Sequence, residues 1–339
     1  HRAYGPERVM RLFVSWILLE SSQRPVEGWT HWNEIQRASA MVVSVVRPLQ
    51  AHCVLPAGAH LGEGPHWWAE RSQLLWVDIE SSRIGLFDPH SGDNSFIDVG
   101  CHVGCVVPTV HGDLLAATAD GFLRVDPTSG ERSLLHHPEA HCLDNRFNDG
   151  KCDPWGRLWA GTMHYEFATG AAALWRLDTN LQSRLMRSGV TISNGLAWSV
   201  DRRWLYFIDS PTLQVLRFAL DEQGDPLDEG TVCVEIPAAW NCVPDGMTID
   251  AEGMLWIALH DGSAVTRWDP GSGEQLATVE VPCSKVTSCC FGGANLDQLF
   301  ITTARHQLAP DQLEQQPLAG GLFVAEVGVA GLPAQTFAG

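Results

Sequence analysis

The sequence predicts an all-β protein: a six-bladed β-propeller with four antiparallel strands per blade, preceded by an N-terminal extension. First, an apolar strand led by leucine recurs six times at intervals of about 39 to 50 residues, the spacing of propeller blades. Second, a polar turn precedes each copy, and a strand of alternating apolar and polar residues follows most of them. Third, 14 Trp and 32 Gly favour β structure with many turns. A β-sandwich is the main alternative, but it does not predict six similar units.

The repeated strands define the predicted elements. Their leading residues are Leu75, Leu114, Leu158, Leu205, Leu255 and Leu299. The turn before the third copy, at 153–156, contains a proline that presets φ and a glycine that tolerates positive φ. The alternating strand that follows is clearest at 83–89 and 121–127. A late strand at 321–326 is expected to complete the last blade.

The chain divides into two predicted regions. Residues 1–40 match nothing downstream, so we expect an extension that is disordered or peripherally attached. Residues 41–339 contain the repeats and form the predicted propeller domain. The apolar run at 12–19 is too short to span a bilayer.

Composition excludes some functions. A net charge of −18 argues against nucleic acid or an anionic membrane as a partner, because phosphate groups require clustered Lys and Arg. The 10 Cys are scattered without a Cys-x-x-Cys pair, so we expect free thiols and a cytoplasmic protein. The expected partner is a small molecule, and no obligate protein partner is inferred.

The register of the repeats places four polar residues at equivalent positions. Glu63, Asn148, Asn194 and Asp245 each lie about 10 to 12 residues before a leading leucine. We expect these positions to begin the innermost strands, so the four side chains would face one another across the mouth of the central channel. The other two blades place Gly104 and Ser288 there.

These side chains predict a cation site. Glu, Asp and Asn are hard oxygen donors, and two carboxylates with an amide suit Ca²⁺, Mg²⁺ or Mn²⁺. Each Asn-Gly or Asp-Gly pair taken alone favours a hairpin turn instead. The register shared by all four residues favours a site, and the adjacent glycines permit close backbone approach at a crowded axis.

Five motifs in this order resemble the SMP-30/gluconolactonase/luciferin-regenerating enzyme family. They are LGEGP at 61–65, RFNDGK at 146–151, AGTM at 160–163, SNG at 193–195 and PDGM at 244–247. The resemblance covers about residues 55–323 and implies a six-bladed propeller that hydrolyses sugar lactones. It implies one divalent metal ion (Ca, Zn, Mg or Mn) held by Glu63, Asn194 and Asp245. It also implies that Arg146 and Asn148 contact the substrate.

The lid region departs from the family pattern. Family members often carry a lid loop with acidic residues after the AGTM motif. Here the corresponding segment, at 164–167, is short. Glu166 is the candidate lid residue, with a substrate-binding role.

A hydrolytic mechanism follows as a hypothesis. The cation would polarise the lactone carbonyl and activate water, with Asp245 as proton acceptor and Asp149 as second candidate. Arg146 offers a multi-donor fork suited to sugar oxygens or a developing oxyanion. Two alternatives stay open: a non-catalytic Ca²⁺-binding regulatory propeller, and hydrolysis of another ester or organophosphate on the same scaffold.

Other catalytic chemistries find little support in the sequence. It contains no Gly-x-Ser-x-Gly nucleophile elbow and no His-Glu-x-x-His zinc spacing. We expect His60, His66 and His164 to be rim or surface residues.

Overall fold

The described strands form six sheets, each with four antiparallel strands and one with an additional parallel strand, as predicted for a six-bladed propeller. The structure is a computed structural model that describes residues 48–339. The predicted extension at 1–40 and the predicted domain start at residue 41 lie outside the described residues.

Two short strands precede the first blade: β1 (Leu49–Gln50) and β2 (His52–Leu55). Blade 1 contains β3 (Gly62–Trp68), β4 (Gln73–Asp78), β5 (Arg83–Phe87) and β6 (Asn94–Asp98). Blade 2 contains β7 (Val103–Pro108), β8 (Leu114–Thr118), β9 (Gly121–Val125) and β10 (Arg132–His136). Blade 3 contains β11 (Asn145–Cys152), β12 (Leu158–His164), β13 (Ala172–Leu177) and β14 (Ser183–Val190).

Blade 4 contains β15 (Ser193–Trp198), β16 (Trp204–Asp209), β17 (Gln214–Ala219) and β18 (Thr231–Glu235). Blade 5 contains β19 (Val243–Ile249), β20 (Leu255–His260), β21 (Ala264–Trp268) and β22 (Gln275–Glu280). Blade 6 contains β23 (Val286–Gly292), β24 (Gln298–Thr303) and β25 (Leu322–Glu326). The described helices are α1 (Pro310–Gln315) and 3₁₀ turns at Ala69–Arg71, Ser210–Thr212 and Ala238–Trp240.

The last blade is closed by the beginning of the described chain, which corrects the prediction for 321–326. Strand β25 is the third strand of blade 6, and β2 pairs antiparallel with it as the outermost strand. Strand β1 adds a parallel fifth strand to blade 5 by pairing with β22. The ring is therefore closed by hydrogen bonds between the two ends of the described region.

The core consists of apolar layers between neighbouring blades. Trp76, Trp159 and Trp256 lie on the second strands of three blades and are fully buried. A turn aspartate fixes two of them: the indole Nε1 of Trp159 donates to Asp153 at 2.8 Å, and that of Trp256 donates to Asp250 at 2.9 Å. The predicted polar turns thus satisfy the buried indole nitrogens that enter the core.

The first strand of every blade lines the central channel, because these six strands contact one another around the axis. Each of the six has a register shift against its partner strand. The shifts lie between Glu63 and His66, Val103 and Cys105, Phe147 and Gly150, Ser193 and Leu196, Pro244 and Met247, and Val286 and Ser288. Such bulges re-aim side chains, and here they occur at equivalent positions around the axis.

Close packing at the axis explains two of the predicted glycines. A Cβ atom on Gly195 would lie 2.6 Å from the Cβ of Met247. A Cβ atom on Gly246 would lie 2.0 Å from the Oγ of Ser288. Adjacent inner strands therefore approach too closely at these points for any side chain.

The ten cysteines all lie within residues 48–339 and are free thiols, as predicted. Among the same residues, no helix has the length and apolar character needed to cross a membrane.

Candidate functional site

A cavity of 260 Å³ opens at the end of the channel where the inner strands begin, and we name it the upper cavity. Its walls come from the first strands of blades 1, 3, 4 and 5 and from the loops around them. The lining residues are Leu61, Glu63, Glu80, His102, Arg146, Asn148, Met163, Tyr165, Phe167, Ile192, Asn194, Ser210, Val243, Asp245, His260, His306 and Gln307.

The four residues selected by register all line this cavity. Glu63, Asn148, Asn194 and Asp245 lie within or directly beside the bulges of their strands. Each is only 4% to 7% exposed. The bulges bring the four side chains together from blades that are far apart in sequence.

Asn148 connects two parts of the site through its amide group. Its Nδ2 donates to the carbonyl oxygen of Ser193 at 2.9 Å and to Oδ1 of Asn194 at 3.2 Å. Asn194 in turn donates from Nδ2 to Oγ of Ser210 at 2.8 Å. Both amides are therefore held in fixed orientations by partners on neighbouring strands.

Arg146 brings a buried cation to the cavity wall. Its Nη1 donates to Oδ1 of Asn148 at 2.8 Å and to the carbonyl oxygen of Phe147 at 3.0 Å. Burial lowers the pKa of the guanidinium, whereas Tyr165 and the carboxylates around it act in the opposite direction. Arginine remains charged in proteins, so the site contains a fixed positive group with donors to spare.

Three buried carboxyl groups lie close enough to influence one another. Burial, together with the charges of Asp245 and Asp149, raises the pKa of Glu63 well above its usual value. Burial is also the main cause that raises the pKa of Asp245 to about 7, against the opposing effect of His260. Burial raises the pKa of Asp149, while the charge of Lys151 lowers it. The site thus brings together carboxyl groups whose charged forms are disfavoured, because the nearby cationic side chains do not offset their burial and mutual repulsion.

These residues fit a divalent cation. Glu63 and Asp245 are buried carboxyl groups whose charged forms are disfavoured by burial and by neighbouring negative charge. A bound cation would relieve both effects. Asn194 adds an amide in the same cluster, and carboxylate and amide oxygens are ligands that hard cations prefer.

The structure places the two remaining predicted site residues differently. Asp149 is buried within the bulge of β11 but does not line the upper cavity, and its Oδ1 accepts a hydrogen bond from the backbone N–H of Gly150 at 2.7 Å. Glu166 is exposed and does not line the cavity. Its neighbours Tyr165 and Phe167 do so instead.

Several lining residues were missed by the sequence reasoning. Glu80, Ser210 and His260 each stand five positions after a leading leucine, namely Leu75, Leu205 and Leu255. The second strand of each blade runs antiparallel to the first, so its end reaches the same face as the start of the first strand. Counting forward from the leucines would therefore have predicted these residues.

An aromatic pair forms another part of the wall that the sequence did not reveal. The hydroxyl of Tyr165 and Nδ1 of His102 lie 3.1 Å apart within hydrogen-bonding distance, and the two rings meet edge to face. His102 comes from blade 2, which contributes none of the four register-selected polar residues.

A second cavity, of 330 Å³, lies where the inner strands end, and we name it the lower cavity. Its walls include His66, Lys151, Trp198, Ile249 and Phe291. The expectation that His66 lies at the rim or surface is wrong, because this ring is buried. Two residues of β3 face one residue of β4 at the bulge, and this shift moves His66 out of the simple alternation.

The chain is similar over most of its length to known proteins of one family. Residues 61–305 match the family described as SMP-30/Gluconolactonase/LRE-like region. A putative sugar lactone lactonase of Bacillus subtilis is 37% identical over 83% of this chain and 96% of its own length. Regucalcin of Oryctolagus cuniculus is 36% identical over 86% of this chain and 99% of its own length. A crystal structure of a regucalcin from Agrobacterium tumefaciens, described as a calcium-binding protein, superimposes with a TM-score of 0.82 at 26% identity over 86% of this chain and 98% of the other.

Proposed function

The chain belongs to the SMP-30/gluconolactonase/LRE-like family, and from that premise we propose that it is a divalent-cation-dependent hydrolase of sugar (aldono)lactones. The observation that carries the proposal is the buried Arg146–Asn148 pair beside the Glu63 and Asp245 carboxyl groups in the upper cavity. A purely structural cation needs no adjacent guanidinium. The relative in Bacillus subtilis that is named a putative sugar lactone lactonase supports the same substrate class.

The proposed cation ligands are Glu63, Asn194 and Asp245. Their oxygen donors suit Ca²⁺, Mg²⁺ or Mn²⁺, and the calcium-binding relative in Agrobacterium tumefaciens supports a cation in this family. A cation bound there supplies Lewis acidity toward a carbonyl oxygen and toward water.

Arg146 and Asn148 are proposed to bind and orient the lactone. Arg146 donates from Nη1 to Oδ1 of Asn148. This hydrogen bond fixes the plane of the guanidinium group and therefore the directions of its other N–H groups. Donors held in advance at the position where negative charge develops stabilise a tetrahedral transition state without reorganisation. Burial in the cavity strengthens this interaction, because the surroundings screen it less than water does.

Asp245 is the proposed proton acceptor. It lies in the wall of the upper cavity, where a carboxylate oxygen that the cation does not engage can accept a proton from an attacking water. Asp149 is the second candidate, but it lies behind the cavity wall and would have to act through Asp245 or water.

The size of the upper cavity favours a small substrate. Its volume of 260 Å³ lies below the range of about 300 to 1,000 Å³ typical of drug-sized ligands. A single-ring lactone fits this volume better than a larger ester or organophosphate does.

The proposal is tested by lactone hydrolysis followed with a pH indicator. Metal-stripped protein is assayed with five- and six-membered aldonolactones, before and after addition of Ca²⁺, Mg²⁺, Mn²⁺ or Zn²⁺. We expect cation-dependent turnover above the spontaneous rate, and we expect Asp245→Asn to lose both turnover and cation binding at the site formed by Glu63, Asn194 and Asp245. Retained turnover in Asp245→Asn would contradict its assignment. Tight cation binding without turnover on any lactone would instead favour a regulatory cation-binding propeller.

A further inference from the structure

Three side chains at the rim of the upper cavity form a cluster outside the oxygen-donor set of the proposed function. His60 lies between β2 and β3, Glu80 lies in the turn between β4 and β5, and His306 follows β24. The cluster therefore joins blade 1 to blade 6. None of these residues belongs to the Glu63, Asn194 and Asp245 set.

Backbone hydrogen bonds hold the three segments together. The carbonyl oxygen of His60 accepts from the N–H groups of Arg305 at 3.0 Å and His306 at 2.8 Å. The carbonyl oxygen of Leu61 accepts from the N–H of Ile79 at 2.9 Å, directly before Glu80. The three side chains thus project from backbone segments that are hydrogen-bonded to one another, and these bonds fix their relative positions.

The side chains meet at a single point. One carboxylate oxygen of Glu80 lies within hydrogen-bonding distance of Nδ1 of His60, and the other lies 2.7 Å from Nδ1 of His306. One potential ligand atom from each residue lies within 4.8 Å of the others. Tetrahedral zinc bonds of about 2.0 to 2.2 Å place ligand atoms roughly 3.3 to 3.6 Å apart, so the Glu80 carboxylate and the two rings would have to move apart by about 1 Å to admit the ion.

We propose that His60, Glu80 and His306 form a second divalent-cation site, which takes zinc or a similar borderline ion rather than calcium. Two imidazole nitrogens and one carboxylate are a ligand set that zinc prefers, whereas calcium and magnesium take oxygen ligands. Exposed ion pairs alone contribute little to stability, so stability does not account for the convergence of three such groups. Glu80 and His306 line the upper cavity, and three protein ligands leave a coordination position open to it.

The site is accessible to an ion from solvent. The His60 side chain is 65% exposed, whereas the side chains of Glu80 and His306 are 26% and 28% exposed. An ion bound there would sit on the cavity wall beside Arg146, whose charge interacts with that of Glu80. The cavity would then contain two cation sites of different chemical preference.

The test separates this site from the proposed catalytic one by working in the full-length Asp245→Asn protein. Metal-stripped protein is titrated calorimetrically with ZnCl₂ and, separately, with CaCl₂. Substitution with Co²⁺ provides a spectroscopic readout, because a four-coordinate cobalt site absorbs visible light much more strongly than the hydrated ion. We expect one zinc ion per chain, intense cobalt bands and no calcium binding at this site.

Matched histidine variants identify the ligands. Adding His306→Ala should weaken zinc binding by at least about 100-fold and abolish the cobalt bands, because loss of a direct ligand costs at least as much as loss of a supporting residue. Adding His102→Ala, another histidine of the cavity wall, should leave both signals unchanged. Circular dichroism melting confirms that each variant is folded.

Two results would overturn the proposal. One is the absence of zinc binding in Asp245→Asn, and the other is unchanged zinc affinity after His306→Ala. Either result would show that the cluster is a set of polar contacts to Glu80 without a metal-binding role. Because the test needs no lactone turnover, its failure leaves the proposed hydrolase untouched, and failure of the hydrolase leaves this site standing.

Discussion

The two ends of the central channel are lined by the same four strands, β3, β11, β15 and β19, yet they differ in chemistry. At the upper end these strands present carboxyl groups, amides and a guanidinium. Beyond the bulges, at the lower end, they present mainly apolar side chains such as Trp198 and Ile249. Burying charged groups is costly unless something compensates them. Within residues 48–339, carboxyl groups of the channel are buried together at the upper end only, and we assign the function to this end.

In the lower cavity, Lys151 is hydrogen-bonded to the backbone and His66 is uncharged. Lys151 donates from Nζ to the carbonyl oxygen of Met247 at 2.6 Å. Burial, with a contribution from the charge of Lys151, lowers the pKa of His66 to about 3, so this ring is neutral at physiological pH. The upper cavity therefore collects carboxyl groups whose charged forms are disfavoured, whereas the lower cavity contains a neutral histidine and a lysine that donates to a backbone carbonyl.

The strongest contrast is expected from two glutamine substitutions on one strand. Glu63→Gln should lower turnover of the best lactone at least 100-fold, because it removes a proposed cation ligand. His66→Gln, three residues further along β3, should leave kcat/KM within about threefold of wild type. Steady-state assays at saturating cation concentration measure both. Equal losses of kcat/KM in the two variants would show that the upper and lower cavities function as one unit.

Arg146→Lys should sharpen the assignment within the upper cavity. Lysine keeps the charge but loses the planar fork that donates to Asn148 and Phe147. Hydrogen bonds to charged groups contribute about 1.5 to 3 kcal/mol, so kcat/KM should fall roughly 10- to 100-fold. Cation affinity, measured by calorimetry, should be unchanged, because Arg146 is not a proposed ligand. A parallel loss of cation affinity would contradict the separate roles.

The two ends should also give opposite pH dependence of stability in the cation-free protein. Asp245 has a pKa of about 7 against an ordinary value of 3.8, so the folded state binds more protons between these values and its stability falls as pH rises. His66 has a pKa of about 3 against 6.5, so its contribution falls as pH decreases through that window. Each effect approaches about 1.4 kcal/mol per pH unit.

Because the two effects oppose each other in the wild type, single variants separate them. Urea unfolding between pH 4 and 8 should show that Asp245→Asn has a weaker decline toward high pH, because the raised pKa values of Glu63 and Asp149 still contribute to it. His66→Gln should lose the decline toward low pH. Adding the preferred cation to the wild type should flatten the Asp245 contribution, because the ion stabilises the charged carboxylate. If the pH dependence of stability is unchanged in Asp245→Asn, Asp245 does not contribute to the decline toward high pH.

The smallest effect is expected from Trp198→Phe in the lower cavity. The indole Nε1 of Trp198 is buried without a hydrogen-bond partner among residues 48–339. Phenylalanine removes this unpaired donor but weakens the edge-to-face contact with Trp159, whose ring centroid lies 5.9 Å away. The free energy of unfolding should change by less than about 1 kcal/mol. Turnover should be unchanged, and a tenfold loss would show that the lower cavity is coupled to catalysis.

The sequence predicted the blades well because each second strand repeats an apolar run with a regular period. Register then selected Glu63, Asn148, Asn194 and Asp245, since equivalent blades place equivalent residues at the axis. The same argument, counted forward from the leucines, would have found Ser210 and His260.

Other features could not be predicted from the periodic pattern of the sequence. The burial of His66 depends on a bulge that shifts the alternation of β3, and nothing in a hydrophobic pattern fixes where a bulge begins. The outer strand of blade 6, β2, was missed because it is four residues long and pairs with a partner at the other end of the chain. The rim cluster depends on three loops, whose backbone paths follow no repeat.

The pairing of β2 with β25 has a consequence for biosynthesis. Residues 52–55 leave the ribosome early, but their partner at 322–326 follows about 270 residues later. At about 5 to 20 residues per second, the first strand waits on the order of 10 to 60 seconds for its neighbour. During that interval blade 6 is incomplete and an unpaired strand edge stays open to other chains. The nascent protein is therefore exposed to misassembly until residues 322–326 have been synthesised, and chaperone demand should concentrate in that interval.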